Sequence, residues 1–501
     1  MIFERFRATA EQHASEPAII DGGLRISYGR LLDEITRVRG WLKQALDPRP
    51  GETVAISMLN RWQFAASFLA LCDSGAVLMP CNPQWRPEEL KALAGRINLR
   101  GVVAERAFQA AWRETGAVPA EAIVGIEDAE FDNHGDWNRG ASSTEAPVLF
   151  MTTSGSTGVP RIVPLSERNL IGSISNSSRA MGIRAGDRMI GVVPFHHLHG
   201  FNNCMLMPLL SGATVVMMQR FLPEEYAELA AREQVNVIIG SPFIYGKLAE
   251  CIRNPDLFKT VRLCVSSGAR MQPSIASRWE EYFGSTIVQW YGTTETSGIS
   301  MAVSPGQPSS ALGGEFVGVP LPNVQIRCVD SSGQDVGTGQ PGEILARSPA
   351  TMSGYFGEPE LNRQVLADGF FRTGDLGYID SARGLYLTGR LGRVINVGGI
   401  KVDPVEVERA IEALAGVSAV YVDSVPAPGA GQVIRARVKV REGAELARAD
   451  VIRHCRARLG EYKLPRIIEF VDSIPVSLVG KTSRAVASGV ANIASEVANN
   501  E

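Results

Sequence analysis

From about residue 17 onward, short and nearly uninterrupted apolar runs alternate with amphipathic stretches. Val54-Ala55-Ile56-Ser57 precedes a helical pattern over 64–72, and Val77-Leu78-Met79-Pro80 follows it. The same rhythm returns at 189–193, 213–218 and 235–240. Strands that are apolar on both faces, separated by amphipathic helices, predict sheets covered on both sides, an α/β architecture. Between about 313 and 390 the texture becomes glycine-rich, as in Gly337-Thr338-Gly339-Gln340-Pro341-Gly342, and predicts a β-rich subdomain. After Arg393 it changes again. A helix is expected over 404–414, strands over 418–425 and 432–440, and a helix over 449–459. The second strand alternates clearly, with Ile434, Ala436, Val438 and Val440 against Val433, Arg435, Arg437 and Lys439. The expected organisation is a large N-terminal domain over 1–391 and a small α+β domain over 392–501, with a glycine-containing hinge at 389–393.

A chain of 501 residues is long enough for two or more domains. Its net charge of −3, with both signs mixed throughout, provides no basic face for nucleic acid and no polybasic anchor for lipid. Any anionic ligand must therefore be held locally. Seven scattered cysteines without a Cys-x-x-Cys pair argue against a disulfide framework or a thiolate zinc site, and fit a reducing cytoplasm. The first residues carry charges inside every apolar stretch, unlike a secretory signal, and no later run reaches the ~20 apolar residues of a bilayer span. A soluble, cytoplasmic protein is the expectation.

Three clusters carry candidate chemistry. Thr152-Thr153-Ser154-Gly155-Ser156-Thr157-Gly158-Val159-Pro160-Arg161 follows the apolar run 148–151 and combines hydroxyl donors with two glycines that let backbone N–H groups converge, a nest suited to phosphate oxygens. The Gly-Lys-Ser/Thr ending of a P-loop is absent, and Ser166 is placed to cap the next helix. Gln289-Trp290-Tyr291-Gly292-Thr293-Thr294-Glu295-Thr296 sets a carboxylate beside hydroxyls after a strand, a donor set suited to Mg²⁺. Phe371-Arg372-Thr373-Gly374-Asp375-Leu376-Gly377 places Asp375 where it could accept both hydroxyls of a ribose. Taken singly, each also reads as a solvated loop, a strand end with a surface glutamate, or a plain turn.

In order and spacing these clusters resemble the signature of the adenylate-forming superfamily, which includes acyl-CoA synthetases, adenylation domains of peptide synthetases and beetle luciferases. The resemblance runs along nearly the whole chain. It continues at Pro194-Phe195-His196-His197-Leu198-His199-Gly200, Ser266-Ser267-Gly268-Ala269, Gly389-Arg390, the stretch from Gly398 to Glu408, and Pro475-Val476-Ser477-Leu478-Val479-Gly480-Lys481. It implies that Thr153, Ser154, Gly155, Ser156, Thr157, Gly158 and Arg161 hold phosphates, and that Gly268, Ala269, Arg270, Tyr291, Gly292 and Thr293 surround the nucleotide. Thr294 is implied at the α-phosphate, Glu295 at Mg²⁺, Asp375 at the ribose and Arg390 at ribose or phosphates. Lys481 is implied as the catalytic lysine of a mobile C-terminal domain, bridging the substrate carboxylate and the α-phosphate. That domain would then turn about Gly392 and present Gly398, Gly399 and Lys401 to an incoming thiol.

The acyl pocket implied by the resemblance is lined by His197, His199, Gly268, Trp290, Gly298 and Ile299. Trp290 stands where many relatives have glycine, and its bulk favours an aryl or short-to-medium acid over a long fatty chain. The chain departs from the family's usual pattern at Arg161-Ile162, where Lys-Gly is common, at Gly392, where Asp or Lys is common, and at Asn396, where luciferases carry a lysine. No aspartate stands near Phe195-His196-His197 to pair with an α-amine, so an acid without one is favoured. The expected activity is therefore ATP-dependent formation of an acyl-AMP and transfer of the acyl group to CoA. Two alternatives stay open: a ligase that loads the phosphopantetheine of a carrier protein, and a non-catalytic nucleotide or metabolite sensor. The acid, the acceptor and the oligomeric state are not readable from the sequence.

Overall fold

The computed structural model describes residues 1–129, 144–153, 160–302, 316–391, 395–397, 400–402, 404–427 and 431–474. Contacts divide the chain into two compact units, Met1–Ile326 with Ala346–Phe371, and Arg327–Leu345 with Arg372–Glu501.

In the first unit, Pro17–Asp21, Thr214–Met217, Arg188–Gly191, Val237–Gly240, Leu263–Ser266 and Ile287–Thr293 lie side by side, each parallel to its neighbour. Their apolar runs are the ones expected to be covered on both faces, and Thr214–Met217 and Val237–Gly240 are buried at every position. Each fully buried Val or Ile contributes about 1.5–3 kcal/mol relative to exposure, so these strands are held from above and below rather than by pairing alone. Ser297–Met301 runs antiparallel beside Ile287–Thr293. Helices Pro223–Arg232, Pro242–Cys251 and Pro273–Phe283 each begin on a proline, whose missing N–H costs nothing in a first helical turn.

A second sheet in this unit runs Ile123–Gly125, Leu99–Ala104, Thr53–Ser57, Val77–Pro80, Pro147–Thr153 and Arg161–Ser166. The last two strands form an antiparallel pair in which Thr153 stands opposite Arg161. Trp112 anchors the core on one side and donates its indole N–H to Ser57 Oγ at 2.8 Å. Helix Glu167–Met181 begins as expected at Ser166, whose hydroxyl accepts the Asn169 N–H at 3.2 Å.

Phe370–Ile379, which belongs to the second unit from Arg372 onward, pairs antiparallel with Leu385–Arg390, and Tyr378 stacks on Tyr386 at 4.8 Å across the pair. A separate sheet joins Ile400–Val402, Ile395–Val397, Gly431–Val440 and Val417–Ala427, with Ile467–Phe470 parallel to Gly431–Val440. Helices Pro404–Glu412 and Arg448–Arg456 cover it. The alternation read in the sequence is realised directly. Ile434, Ala436 and Val438 enter the core, while Arg435 grips Asp423 with two bonds of 2.8 and 2.7 Å and Arg437 meets Glu469 at 3.2 Å. Among the described residues no helix is long and apolar enough to cross a membrane.

Candidate active site

Because the strands of the large sheet are parallel, their carboxyl ends all open on one edge, where ligands bind in such sheets. Arg188–Gly191 leads there into Phe195-His196-His197, Leu263–Ser266 into Gly268-Ala269-Arg270, and Ile287–Thr293 brings Trp290, Tyr291, Gly292 and Thr293. Sites that are distant in sequence are thus neighbours for a topological reason. Gly268 has φ +89°, a conformation that side chains resist, and a Cβ at Gly292 would collide with the Ser297 carbonyl.

The turn from Thr293 to Ser297 is tightly tied. Thr293 Oγ1 accepts the Thr296 N–H at 3.2 Å and lies 2.9 Å from the Thr296 hydroxyl. Ser297 sits at φ +59°, an unfavourable value for a non-glycine residue, and its hydroxyl bonds Ser173 of the capped helix. Asn202 in turn donates to Ser173 at 2.5 Å. This turn presents Glu295, which is 9% exposed. The Glu295 carboxylate accepts the Tyr355 hydroxyl at 2.7 Å, and its carbonyl accepts the Met352 N–H at 2.8 Å. Arg161 lies over the Tyr355 ring, 5.4 Å from its centroid. The strand that follows the segment expected to hold phosphates is thereby brought beside the carboxylate expected to take Mg²⁺.

Among the residues expected to line an acyl pocket, a Cβ at Gly298 would collide with the Trp290 indole, so the tryptophan covers that glycine. Ile299, the next residue along, is fully buried. His199 opens a π-helix, His199–Leu206, a rare winding often found at functional sites. Its Nδ1 lies 3.1 Å from Asn203 Nδ2, and burial lowers its pKa to about 4 despite the opposing Gly240 carbonyl. The His196 ring packs 4.5 Å from His197, and burial together with that neighbour holds its pKa well below the usual imidazole range. His196 and His199 are therefore neutral near pH 7.

In the second unit, Asp375 and Arg390 stand opposite each other across the antiparallel pair, with Arg390 Nε 3.3 Å from Asp375 Oδ1. The Asp375 N–H donates to Thr373 Oγ1 at 3.1 Å, and Thr373 donates to the Ile344 carbonyl at 2.8 Å. Gly374, at φ +71°, accepts the Leu391 N–H at 2.6 Å. Expected site residues Ser154, Gly155, Ser156, Thr157, Gly158, Gly392, Gly398, Gly399 and Lys481 lie outside the described residues, as does the side chain of Lys401.

Over residues 6–356 the chain matches the AMP-binding enzyme family, and over 406–481 the AMP-binding enzyme C-terminal domain. It belongs to the AMP-binding enzymes. This AMP-binding enzyme is 31% identical over 493 residues to a sulfoacetate–CoA ligase of Cupriavidus necator, covering 95% of both chains. It is 30% identical over 484 residues to a feruloyl-CoA synthase of an Amycolatopsis species, again covering 95% of each. In structure it resembles ATP-bound MatB of Rhodopseudomonas palustris, with a TM-score of 0.87 and 25% identity over 97% of this chain and 98% of that one. Membership of the adenylate-forming superfamily and the mixed α/β fold, both expected from the motifs, follow from these likenesses.

Two residues of this AMP-binding enzyme escaped the reading of motifs. Tyr355 touches Glu295 across 60 positions of sequence, and only its place in a Gly-Tyr pair before Pro359 hinted at a fixed turn. Asn60 is 4% exposed and donates to the carbonyls of Gly191 and Val193 at 2.9 and 3.0 Å while accepting the Phe195 N–H at 2.9 Å. It clamps the segment that leads to the histidines.

Proposed function

We propose that this chain joins a carboxylic acid to AMP at the expense of ATP and then passes the acyl group to CoA. Glu295 carries the reading: a buried carboxylate at the carboxyl end of a parallel sheet, linked through Tyr355 to the arginine that follows the phosphate-loop segment. Likeness to two CoA-forming ligases along 95% of the chain supports CoA as the acceptor.

In the first step the ionised acid attacks the α-phosphorus, and pyrophosphate leaves. The nucleophile needs no base, so the residues serve mainly to position groups and offset charge. Thr294 and the 153–158 segment bind phosphate oxygens. Gly268-Ala269-Arg270 and Tyr291 flank adenine, and the resemblance assigns Asp375 and Arg390 to the ribose side. The carboxylate of Glu295, with one oxygen held by Tyr355, suits a cation that takes few protein ligands, and Mg²⁺ there would screen the phosphates. The resemblance assigns Lys481, in the C-terminal segment 392–501, to bridge the two reacting anions. In the second step the thiol of CoA attacks the acyl carbonyl and AMP leaves, with Gly398, Gly399 and Lys401 on the side of the incoming thiol.

Trp290 fills the space above Gly298, which supports an aryl or short-to-medium acid. Carboxylate-dependent exchange of pyrophosphate into ATP, measured over a panel of aryl, short and long acids, tests both parts. Exchange with small or aromatic acids, followed by thioester formation on adding CoA, is expected. Fastest exchange with a C16 acid overturns the pocket assignment, and no exchange with any acid overturns the ligase in favour of a nucleotide sensor.

A further inference from the structure

Tyr355 is built into place more firmly than a packing residue needs to be. Its N–H donates to Asn362 Oδ1 at 2.7 Å, and its carbonyl accepts the Asn362 amide at 2.8 Å. The preceding Gly354 has φ +138°, and a Cβ there would come within 2.8 Å of the same amide. One residue on, the Phe356 N–H donates to the Ile162 carbonyl at 2.9 Å, and the Phe356 ring packs 4.9 Å from Phe150. The segment is thus stitched to both strands that flank the phosphate loop, Pro147–Thr153 and Arg161–Ser166, and to the Glu295 carbonyl through Met352. From that position the Tyr355 hydroxyl reaches Oε1 of Glu295 under the Arg161 guanidinium.

We propose that Tyr355 is a positioning residue that locks one oxygen of Glu295 and so turns the other toward a nucleotide-bound divalent cation, with Arg161 holding the tyrosine ring. The proposal rests on the reading of Glu295 as the cation's carboxylate. A buried carboxylate with two unfixed oxygens rotates, whereas one held by a hydroxyl presents its second oxygen in one orientation. Partners of this kind, lying behind a ligand, change metal affinity by about 10–100-fold when removed. Arg161 stands where lysine is common in the superfamily. Its flat guanidinium can lie on the ring, which a lysine ammonium does less well.

Calorimetric titration of the full chain with a non-hydrolysable ATP analogue, with and without Mg²⁺, tests this without knowledge of the acid. The readout is the factor by which Mg²⁺ lowers Kd. In Tyr355→Phe, which keeps the ring and its packing, that factor is expected to shrink by about 10-fold or more while Kd without Mg²⁺ stays within about 2-fold. Arg161→Lys is expected to shrink it by a smaller factor, and serves as the second variant should Tyr355→Phe melt early. An unchanged Mg²⁺ factor in Tyr355→Phe overturns the proposal. Glu295→Gln separates the two layers: if it abolishes the Mg²⁺ factor while Tyr355→Phe does not, only the positioning role fails. If neither variant moves it, Glu295 is not the cation's ligand and the proposal fails with that reading.

Discussion

His199 shows how much a single side chain can report. Burial depresses its pKa to about 4, while an unfolded histidine titrates near 6.5. Above pH 6.5 the ring is neutral in both states and contributes no pH dependence. As pH falls from 6.5 toward 4 the unfolded chain takes up a proton that the folded chain refuses, so stability is lost with a slope of up to about 1.4 kcal/mol per pH unit, levelling below 4. His196 is depressed for the same reason and adds to the loss. Chemical denaturation at a series of pH values should show this decline, and His199→Asn should flatten it. A slope unchanged by the substitution would mean that the ring titrates normally. Residues of this kind were legible as candidates because their chemistry stands out in sequence, as with Glu295 and Asp375. Tyr355 was not, because its meaning lies in a partner that only folding supplies.

At the scale of elements, the parallel strands were readable because burial on both faces leaves a continuous apolar run. The π-helix His199–Leu206 was not, since its winding reflects packing: a Cβ at Gly200 would collide with the carbonyls of Val193 and Pro194, so the glycine lets the helix press against the turn before it. Asn60 holds that turn from the other side. Asn60→Leu keeps the volume but removes the partners of the Val193 carbonyl and the Phe195 N–H in a buried place, each costing about 1–3 kcal/mol, while the Gly191 carbonyl keeps the Met218 N–H at 3.4 Å. The expected outcome is a loss of roughly 3 kcal/mol in denaturant unfolding, together with a rise in KM for the acid that exceeds any rise for ATP. A stable variant with unaltered KM values would show that Asn60 does not govern the 192–199 segment.

For the molecule as a whole, the proposed mechanism uses one C-terminal region for two half-reactions, and Lys481 distinguishes them. A unit charge ~4 Å from an anion at an effective dielectric near 20 is worth about 4 kcal/mol, or roughly 10³ in rate. Lys481→Ala should lower pyrophosphate exchange by about that factor, while thioester formation from supplied acyl-AMP stays within about 10-fold of the unsubstituted chain. Equal loss of both half-reactions would contradict a mechanism in two orientations. By itself the sequence determined the fold class and the family, and it offered candidate groups whose chemistry suits phosphate, ribose and a hard cation. Periodicity, glycine placement and side-chain chemistry are local properties written along the chain. Only the tertiary structure decided which groups meet. Parallel topology carries strand ends to one edge, buried carboxylates take whichever donor folding brings within reach, and the Arg161–Tyr355–Glu295 contact joins three segments that no local pattern connects.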